Sequence, residues 1–393
     1  MTTNDRWLLP DGIEELLPTD ARRVERLRRS ILDLFASWGY ELVMPPLIEY
    51  LESLLTGVSA EMDLQTFKLT DQVTGRLMGV RADMTPQAAR IDAHFLKREA
   101  PVRLCYIGSV LRTRPDEFAG SREPLQIGAE LFGYGGEAAD AEILQLMIES
   151  LQLVGFNDLH IDLGHVGVYR ALAAHAKLSP QQETDLFDAL QRKSAGDVRA
   201  ELAKTDATAE VKGMIAALLD CAGGSEVLAQ ARTRLAKAPA AVGQALDQLQ
   251  SVTDRVKKSA GDLQLCFDLA ELSGYHYYTG VVFSAFVPGH GRAIAKGGRY
   301  DGIGREFGRD RAATGFGADL RELLRFAPQT REATGGILAP ADAEGSLHEE
   351  VARLRLAGER VVMQLPDDDA KATELGCDRM LVREGKRWAV KNL

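Results

Sequence analysis

The stretch Arg103-Leu104-Cys105-Tyr106-Ile107-Gly108-Ser109-Val110-Leu111-Arg112-Thr113-Arg114-Pro115, with Leu125-Gln126-Ile127-Gly128-Ala129-Glu130-Leu131-Phe132-Gly133, decides the fold. The first part reads as a strand that delivers Arg112, and the second as the strand that returns beside it after a loop. Side chains alternate along a strand, so Gln126, Gly128 and Glu130 share one face. With Arg112 on the partner strand, an amide, a carboxylate and a guanidinium can converge on one small ligand. Those groups suit an amino acid: a carboxylate holds its ammonium, and an arginine grips its carboxylate through two hydrogen bonds. The ordinary alternative is the solvated face of an edge hairpin, and this segment alone does not separate the two.

Upstream, residues 19–38 place Val24, Leu27, Ile31, Leu34, Phe35 and Trp38 at helical spacing, with Thr19 or Asp20 as cap and Gly39 as stop. Tyr40-Glu41-Leu42-Val43-Met44 then alternates like a strand until Pro45-Pro46. Further strand-like runs fall at 76–81, 159–163 and 281–286, while 293–296 leads into a Gly297-Gly298 turn. Helical patterns cover 85–96 and 137–154. Strands largely joined by short turns, with helices in separate blocks, predict an α+β fold on an antiparallel sheet with flanking helices. Residues 1–165 and 259–327 form that core in this reading. Residues 166–258 are rich in Ala, Leu, Gln, Lys and Glu and read as a helical insertion. Residues 328–393 read as a short C-terminal α/β segment.

Composition narrows the function classes. The 393 residues carry a formal net charge of −10, and the isoelectric point is near 5.4. Nucleic-acid binding draws much of its affinity from phosphate neutralisation, so this acidity lowers the expectation of a tRNA partner. Cys105, Cys221, Cys266 and Cys377 are scattered, with no CxxC pair and no nearby His at ligand spacing. Neither a disulfide framework nor a metal site is expected from that spacing. The N-terminus shows no basic and apolar secretion signal, and no run is apolar enough to span a bilayer, so a cytoplasmic location is expected.

Two further segments bear on the ligand. In Val80-Arg81-Ala82-Asp83-Met84-Thr85-Pro86-Gln87, Asp83 or Thr85 is a helix cap, a pocket residue, or both. In Ser273-Gly274-Tyr275-His276-Tyr277-Tyr278-Thr279-Gly280 and Gly297-Gly298-Arg299-Tyr300-Asp301, aromatic residues cluster as core or as ligand walls. Aromatic walls suit an imidazole, whose N–H then needs an oxygen acceptor.

These motifs, in this order, resemble the catalytic core of histidyl-tRNA synthetases, a class II synthetase family, over residues 7–326. The helix, strand and proline sequence near the N-terminus is similar to motif 1, a dimer interface, and 103–133 is similar to motif 2. The resemblance implies a histidine pocket made by Asp83, Thr85, Arg112, Gln126, Glu130, Tyr277, Tyr278 and Tyr300. Asp83 stands where the family usually has glutamate to meet the amino group. Tyr277 and Tyr278 match the tandem tyrosines beside the imidazole, and Tyr300 matches another pocket aromatic.

The departures point away from synthetase chemistry. Ser273 occupies the place of a catalytic arginine. In Gly315-Phe316-Gly317-Ala318-Asp319-Leu320-Arg321-Glu322-Leu323, Glu322 stands where the family's ATP-gripping arginine would be, and Asp319 replaces a glycine. Motif 2 runs through Thr113-Arg114-Pro115 without the adenine-reading glutamate. Adenylate formation develops charge that cations must stabilise. The tail after Pro328 is shorter than an anticodon-reading domain. Together these features resemble the regulatory-subunit family of ATP phosphoribosyltransferase. That resemblance implies no catalytic residue, no cofactor and no tRNA. It implies L-histidine as ligand, a short-form catalytic subunit as partner, and self-association as a dimer within a hetero-octamer. A divergent histidine–tRNA ligase and a free-standing histidine sensor are the alternatives.

Overall fold

Helix α1 (Pro18–Ser37) presents Val24, Ile31 and Phe35 to the core and keeps its charged residues outward. The computed structural model describes residues 7–57, 60–115, 120–260, 263–272, 274–275, 277–328, 335–341, 345–366 and 370–393, apart from the side chains of residues 60, 61 and 260. Neither Thr19 nor Asp20 caps α1. Leu17 is the capping position, without a side-chain bond, because Pro18 sits in the first turn, where its fixed φ suits the helix and its missing N–H costs nothing. Gly39, at φ +81°, turns the chain out of the helix.

The chain divides into two units, Met1–Pro328 and Gln329–Leu393. The first carries β1 (Glu41–Leu42), β2 (Ile48–Tyr50), β3 (Phe67–Thr70), β4 (Leu77–Val80), β5 (Val102–Ser109) and β6 (Leu125–Phe132). It continues with β7 (His160–His165), β8 (Ala222–Gly223), β9 (Gln264–Asp268), β10 (Val281–Phe286), β11 (Ala295–Arg299) and β12 (Ala313–Asp319). The main sheet runs in the order β1-β5-β6-β12-β11-β10-β7-β9-β8, and β2, β4 and β3 form a small antiparallel sheet. The expected antiparallel pattern holds through the centre. Toward the edges, β1 pairs with β5 and β7 with β9 in parallel. Parallel neighbours need a crossover, and the mainly helical stretch that opens at Val166 and runs to Ala260 supplies the one between β7 and β9.

Alternation sets the two faces of this sheet. Ile127, Ala129, Ile161, Ala285 and Phe316 join the main core with residues of α1, α3 (Glu137–Val154) and α5 (Ala240–Ala260). Phe316 meets Phe35 of α1 edge to face at 6.0 Å. Gln126, Asp162, Ser284, Lys296 and Gly317 alternate with them and line a cavity. Gly297 and Gly298 lie within β11 rather than in a turn. A Cβ on Gly297 would sit 2.4 Å from the carbonyl oxygen of Gly315, so the strands approach here only because glycine is present.

The strand read at 40–44 shrinks to β1, although the Val43 N–H still bonds the carbonyl of Cys105. The helix read at 85–96 is α2 (Thr85–Arg90) followed by a π-helical turn, Ile91–Leu96. The insertion opens with α4 (Val166–His175) and closes with α5. Helix α6 (Leu320–Phe326) follows β12 directly. In the second unit, α7 (Gly345–Leu356) buries Leu347, Val351 and Leu354 against a sheet ordered β14 (Val361–Met363), β13 (Ile337–Ala339), β15 (Arg379–Glu384), β16 (Arg387–Asn392). Among the described residues no helix is long and apolar enough to cross a membrane.

Candidate functional site

A cavity of about 560 Å³ opens over the polar face of the main sheet. Of the eight residues singled out by sequence, Asp83, Thr85, Arg112, Gln126, Tyr277 and Tyr278 line it. Glu130 and Tyr300 lie one layer behind, 1% and 2% exposed.

At the Asp83 end, polar groups hold one another in place. Gln126 donates from Nε2 to Asp83 Oδ1 at 2.6 Å and accepts the Met84 N–H at 2.9 Å. The Thr85 N–H also donates to Asp83 Oδ1, at 3.0 Å. Met84, not Asp83 or Thr85, is the formal cap of α2, yet Asp83 still tethers the first turn through that bond. Arg112 follows β5, donates to the Ala82 carbonyl at 3.3 Å, and bridges to Thr66.

Behind this end lies a buried relay. The hydroxyls of Thr85 and Tyr106 are 2.9 Å apart, and Tyr106 donates to Glu130 Oε1 at 2.8 Å. The Tyr300 hydroxyl donates to the other carboxylate oxygen. Burial pushes the Glu130 carboxyl up to about 8, against the two tyrosine hydroxyls that favour its anion. Gly315 makes room for this carboxylate, since a Cβ there would lie 1.5 Å from Glu130 Oε2. Tyr300 in turn stacks on Tyr277 with ring centres 5.0 Å apart. The Tyr277 hydroxyl is buried and has no hydrogen-bond partner among the described residues. A buried, unpaired hydroxyl is costly unless a ligand or water satisfies it.

The tyrosine segment hangs from the insertion. Arg170 of α4 donates to the carbonyls of Tyr275 and Tyr278 at 3.0 and 3.2 Å, and its guanidinium lies 4.9 Å from the Tyr275 ring centre. The N–H groups of Tyr277 and Tyr278 close back on the Gly274 carbonyl at 2.7 and 2.8 Å. Ser273 and His276 lie outside the described residues.

The other end is built differently. Glu322 lines the cavity, and its Oε1 accepts from Arg292 at 3.2 Å and lies 3.1 Å from His290 Nε2. Arg321 donates to the Glu14 carbonyl at 2.8 Å and pairs with Glu123 at 3.2 Å, while Arg325 pairs with the Glu14 carboxylate. Asp319 caps α6 through the Arg321 N–H at 2.9 Å and accepts the Leu125 N–H at 3.0 Å. Its carboxyl is raised chiefly by burial. Arg321, Arg325 and Arg292 are therefore engaged with protein groups.

Sequence reading missed Tyr106, Arg170, His290 and Arg292. Tyr106 was within reach, because strand register sets it opposite Gly128 on the face of Gln126 and Glu130. Arg170 had no signal: it acts from the insertion, 105 residues from Tyr275.

A sheet flanked by helices, with motif-bearing strands around an amino-acid-sized polar corner, defines a class II synthetase-like core of the histidyl type. The Histidyl-tRNA synthetase family matches residues 12–323, and the ATP phosphoribosyltransferase subunit HisZ C-terminal domain matches 334–391. The ATP phosphoribosyltransferase regulatory subunit of Thioalkalivibrio sulfidiphilus is 54% identical over 100% of both chains, and that of Pseudomonas aeruginosa likewise. A Bacillus halodurans structure described as an ATP phosphoribosyltransferase regulatory subunit/histidyl-tRNA synthetase is 28% identical. It superposes with TM-score 0.83 over 94% of this chain and 95% of that one. Histidyl-tRNA synthetase from Nostoc, at 21% identity, shares the fold with TM-score 0.80 over 96% and 91% of the two chains. This chain belongs to the family of ATP phosphoribosyltransferase regulatory subunits.

Proposed function

We propose that this chain is the noncatalytic regulatory subunit of an ATP phosphoribosyltransferase, activating a short-form catalytic subunit and mediating histidine feedback at the first step of L-histidine biosynthesis. The names of its full-length relatives support the regulatory role. The observation that supports the ligand reading is the contrast within one cavity: the Asp83 end presents a pre-ordered set of polar groups, while the Glu322 end carries an acid where the resemblance to histidyl-tRNA synthetases puts an ATP-gripping arginine.

In this reading Asp83 meets the histidine ammonium, Arg112 its carboxylate, and Tyr277 and Tyr278 flank the imidazole. Gln126 and Thr85 fix Asp83 and the floor, and Glu130 acts from behind by holding Tyr300 under Tyr277. Residues 1–165 and 259–327 serve as the core, 166–258 as an insertion and 328–393 as a truncated C-terminal segment. The chain pairs with itself and works within a cytoplasmic hetero-octamer, binds no tRNA, and forms no histidyl adenylate. Histidine and the catalytic subunit then influence each other by a coupling of about 1–3 kcal/mol, the usual range for allostery.

Mixing with a short-form catalytic subunit is the deciding experiment. Co-elution and a large rise in phosphoribosyl transfer are the expected results; a rate unchanged by mixing would leave a free-standing sensor. Histidine-dependent ATP–pyrophosphate exchange is expected to be absent, and its presence would favour a histidine–tRNA ligase. Titration calorimetry with L-histidine, on the free chain and on the assembled complex, tests the pocket. Heat in neither sinks it.

A further inference from the structure

Four strands along the main sheet from Gln126, the fold gathers three metal-binding side chains that no motif predicted. His160 and Asp162 alternate onto one face of β7, and parallel pairing sets Cys266 of β9 beside Asp162. His160 Nε2 lies 2.9 Å from Asp162 Oδ1, and Cys266 Sγ lies 3.9 Å from His160 Nδ1. One donor atom from each residue falls within a 4.8 Å span. Cys266 is partly exposed, whereas Cys105, Cys221 and Cys377 are buried. Of the three, Asp162 also lines the cavity. The nearby cation Lys193 is taken up by Asp268.

We propose that His160, Asp162 and Cys266 form a binding site for a zinc-type divalent ion. An imidazole nitrogen, a thiolate sulfur and a carboxylate oxygen are the mixed donor set that zinc and its neighbours select over magnesium or calcium. With bonds near 2.0 Å to nitrogen and oxygen and 2.3 Å to sulfur, tetrahedral ligand atoms sit about 3.2–3.7 Å apart. The observed spacing therefore requires side-chain rotations of about an ångström. The Asp162 carboxylate exchanges its bond to His160 for the ion. Three protein ligands leave the fourth position for water or a donor atom of a molecule in the cavity. The separation of 106 positions between His160 and Cys266 hides this cluster from any reading of spacing, which is why the sequence suggested no metal site.

The test uses the full-length chain, stripped with chelator and titrated with Co²⁺ and then Zn²⁺. One equivalent of Co²⁺ is expected to give a thiolate-to-metal charge-transfer absorption that Zn²⁺ abolishes by displacement. Cys266→Ser removes the band, and His160→Gln and Asp162→Asn each weaken zinc at least about tenfold, a loss typical of disturbed metal sites. Cys377→Ser keeps the band. Zinc raises the melting temperature of the unsubstituted chain in a concentration-dependent way, and raises it less in the two milder variants. No charge-transfer band, a band that survives Cys266→Ser, or zinc affinity unchanged in His160→Gln and Asp162→Asn overturns the proposal. Should Cys266→Ser not fold, the other two variants decide.

Discussion

At one end of the cavity the polar groups hold each other in place and still face open space; at the other the charged groups mostly pair with one another, although Arg321 Nε is buried without a partner among the described residues. Asp83 accepts Gln126 and Thr85 at one oxygen, and its second oxygen takes no bond from the described residues. The Tyr277 hydroxyl likewise has no partner among the described residues. Glu322, by contrast, meets Arg292 and His290, and Arg321 and Arg325 are drawn to Glu14 and Glu123. Binding capacity resides where donors and acceptors are fixed but unspent.

That contrast can be tested from its deepest residue outward. Glu130 has a carboxyl raised by burial to about 8 from 4.5. Between those values the folded chain holds a proton that the unfolded chain has released. Stability falls as pH rises across that window and levels off above it. Glu130→Gln cannot titrate, so denaturant melts at pH 5 and pH 8.5 should show the variant gaining on the parent by on the order of 3 kcal/mol at the higher pH. Equal pH dependence in both would mean that Glu130 is charged in the folded chain.

Histidine affinity sharpens the comparison next. Asp83→Asn keeps an acceptor for Gln126 and loses the charge, and calorimetry should show affinity falling roughly 10–100-fold, as for a lost charged hydrogen bond. Glu322→Gln should stay within about twofold, since its partners are protein groups. Comparable losses at both positions would erase the distinction between the ends. Tyr277→Phe removes a hydroxyl that has no partner among the described residues. Affinity should drop by up to about tenfold while thermal stability holds or rises slightly. A variant that loses stability instead would place that hydroxyl in the fold rather than in recognition. Smallest of all, Glu322→Gln should cost under about 1 kcal/mol in stability, because the Arg292 side of the pair is more than a third exposed.

The central hairpin was legible because a two-residue period and an ordered motif coincided: β6 spans the residues read as the returning strand. Its face was legible too, and Gln126 lines the cavity as alternation requires. Depth was not. Strand alternation says which face Glu130 takes but not that Tyr106 and Tyr300 cover it. The helix cap was misread because Pro18 outweighs a side-chain cap at Thr19, and the glycine pair because close strand packing and a turn share the same residues. Glu322 was read only as an acid at the place of an arginine; its partners Arg292 and His290, which reach it from the β10–β11 loop, were not foreseen. Distant partners of this kind carry no local signal.

The parallel pairing of β7 with β9 has a consequence in time. The strands meet only when the long chain between them brings its ends together, so this part of the sheet carries the penalty of a long closure. The insertion's helices form from local contacts and need not wait. Arg170, which holds the carbonyls of Tyr275 and Tyr278, sits on the first of those helices, and the tyrosines it holds follow β9. On refolding, helical signal should therefore precede the ability to bind a ligand, and the interval between them measures how long the chain takes to close its own frame around an already assembled clasp.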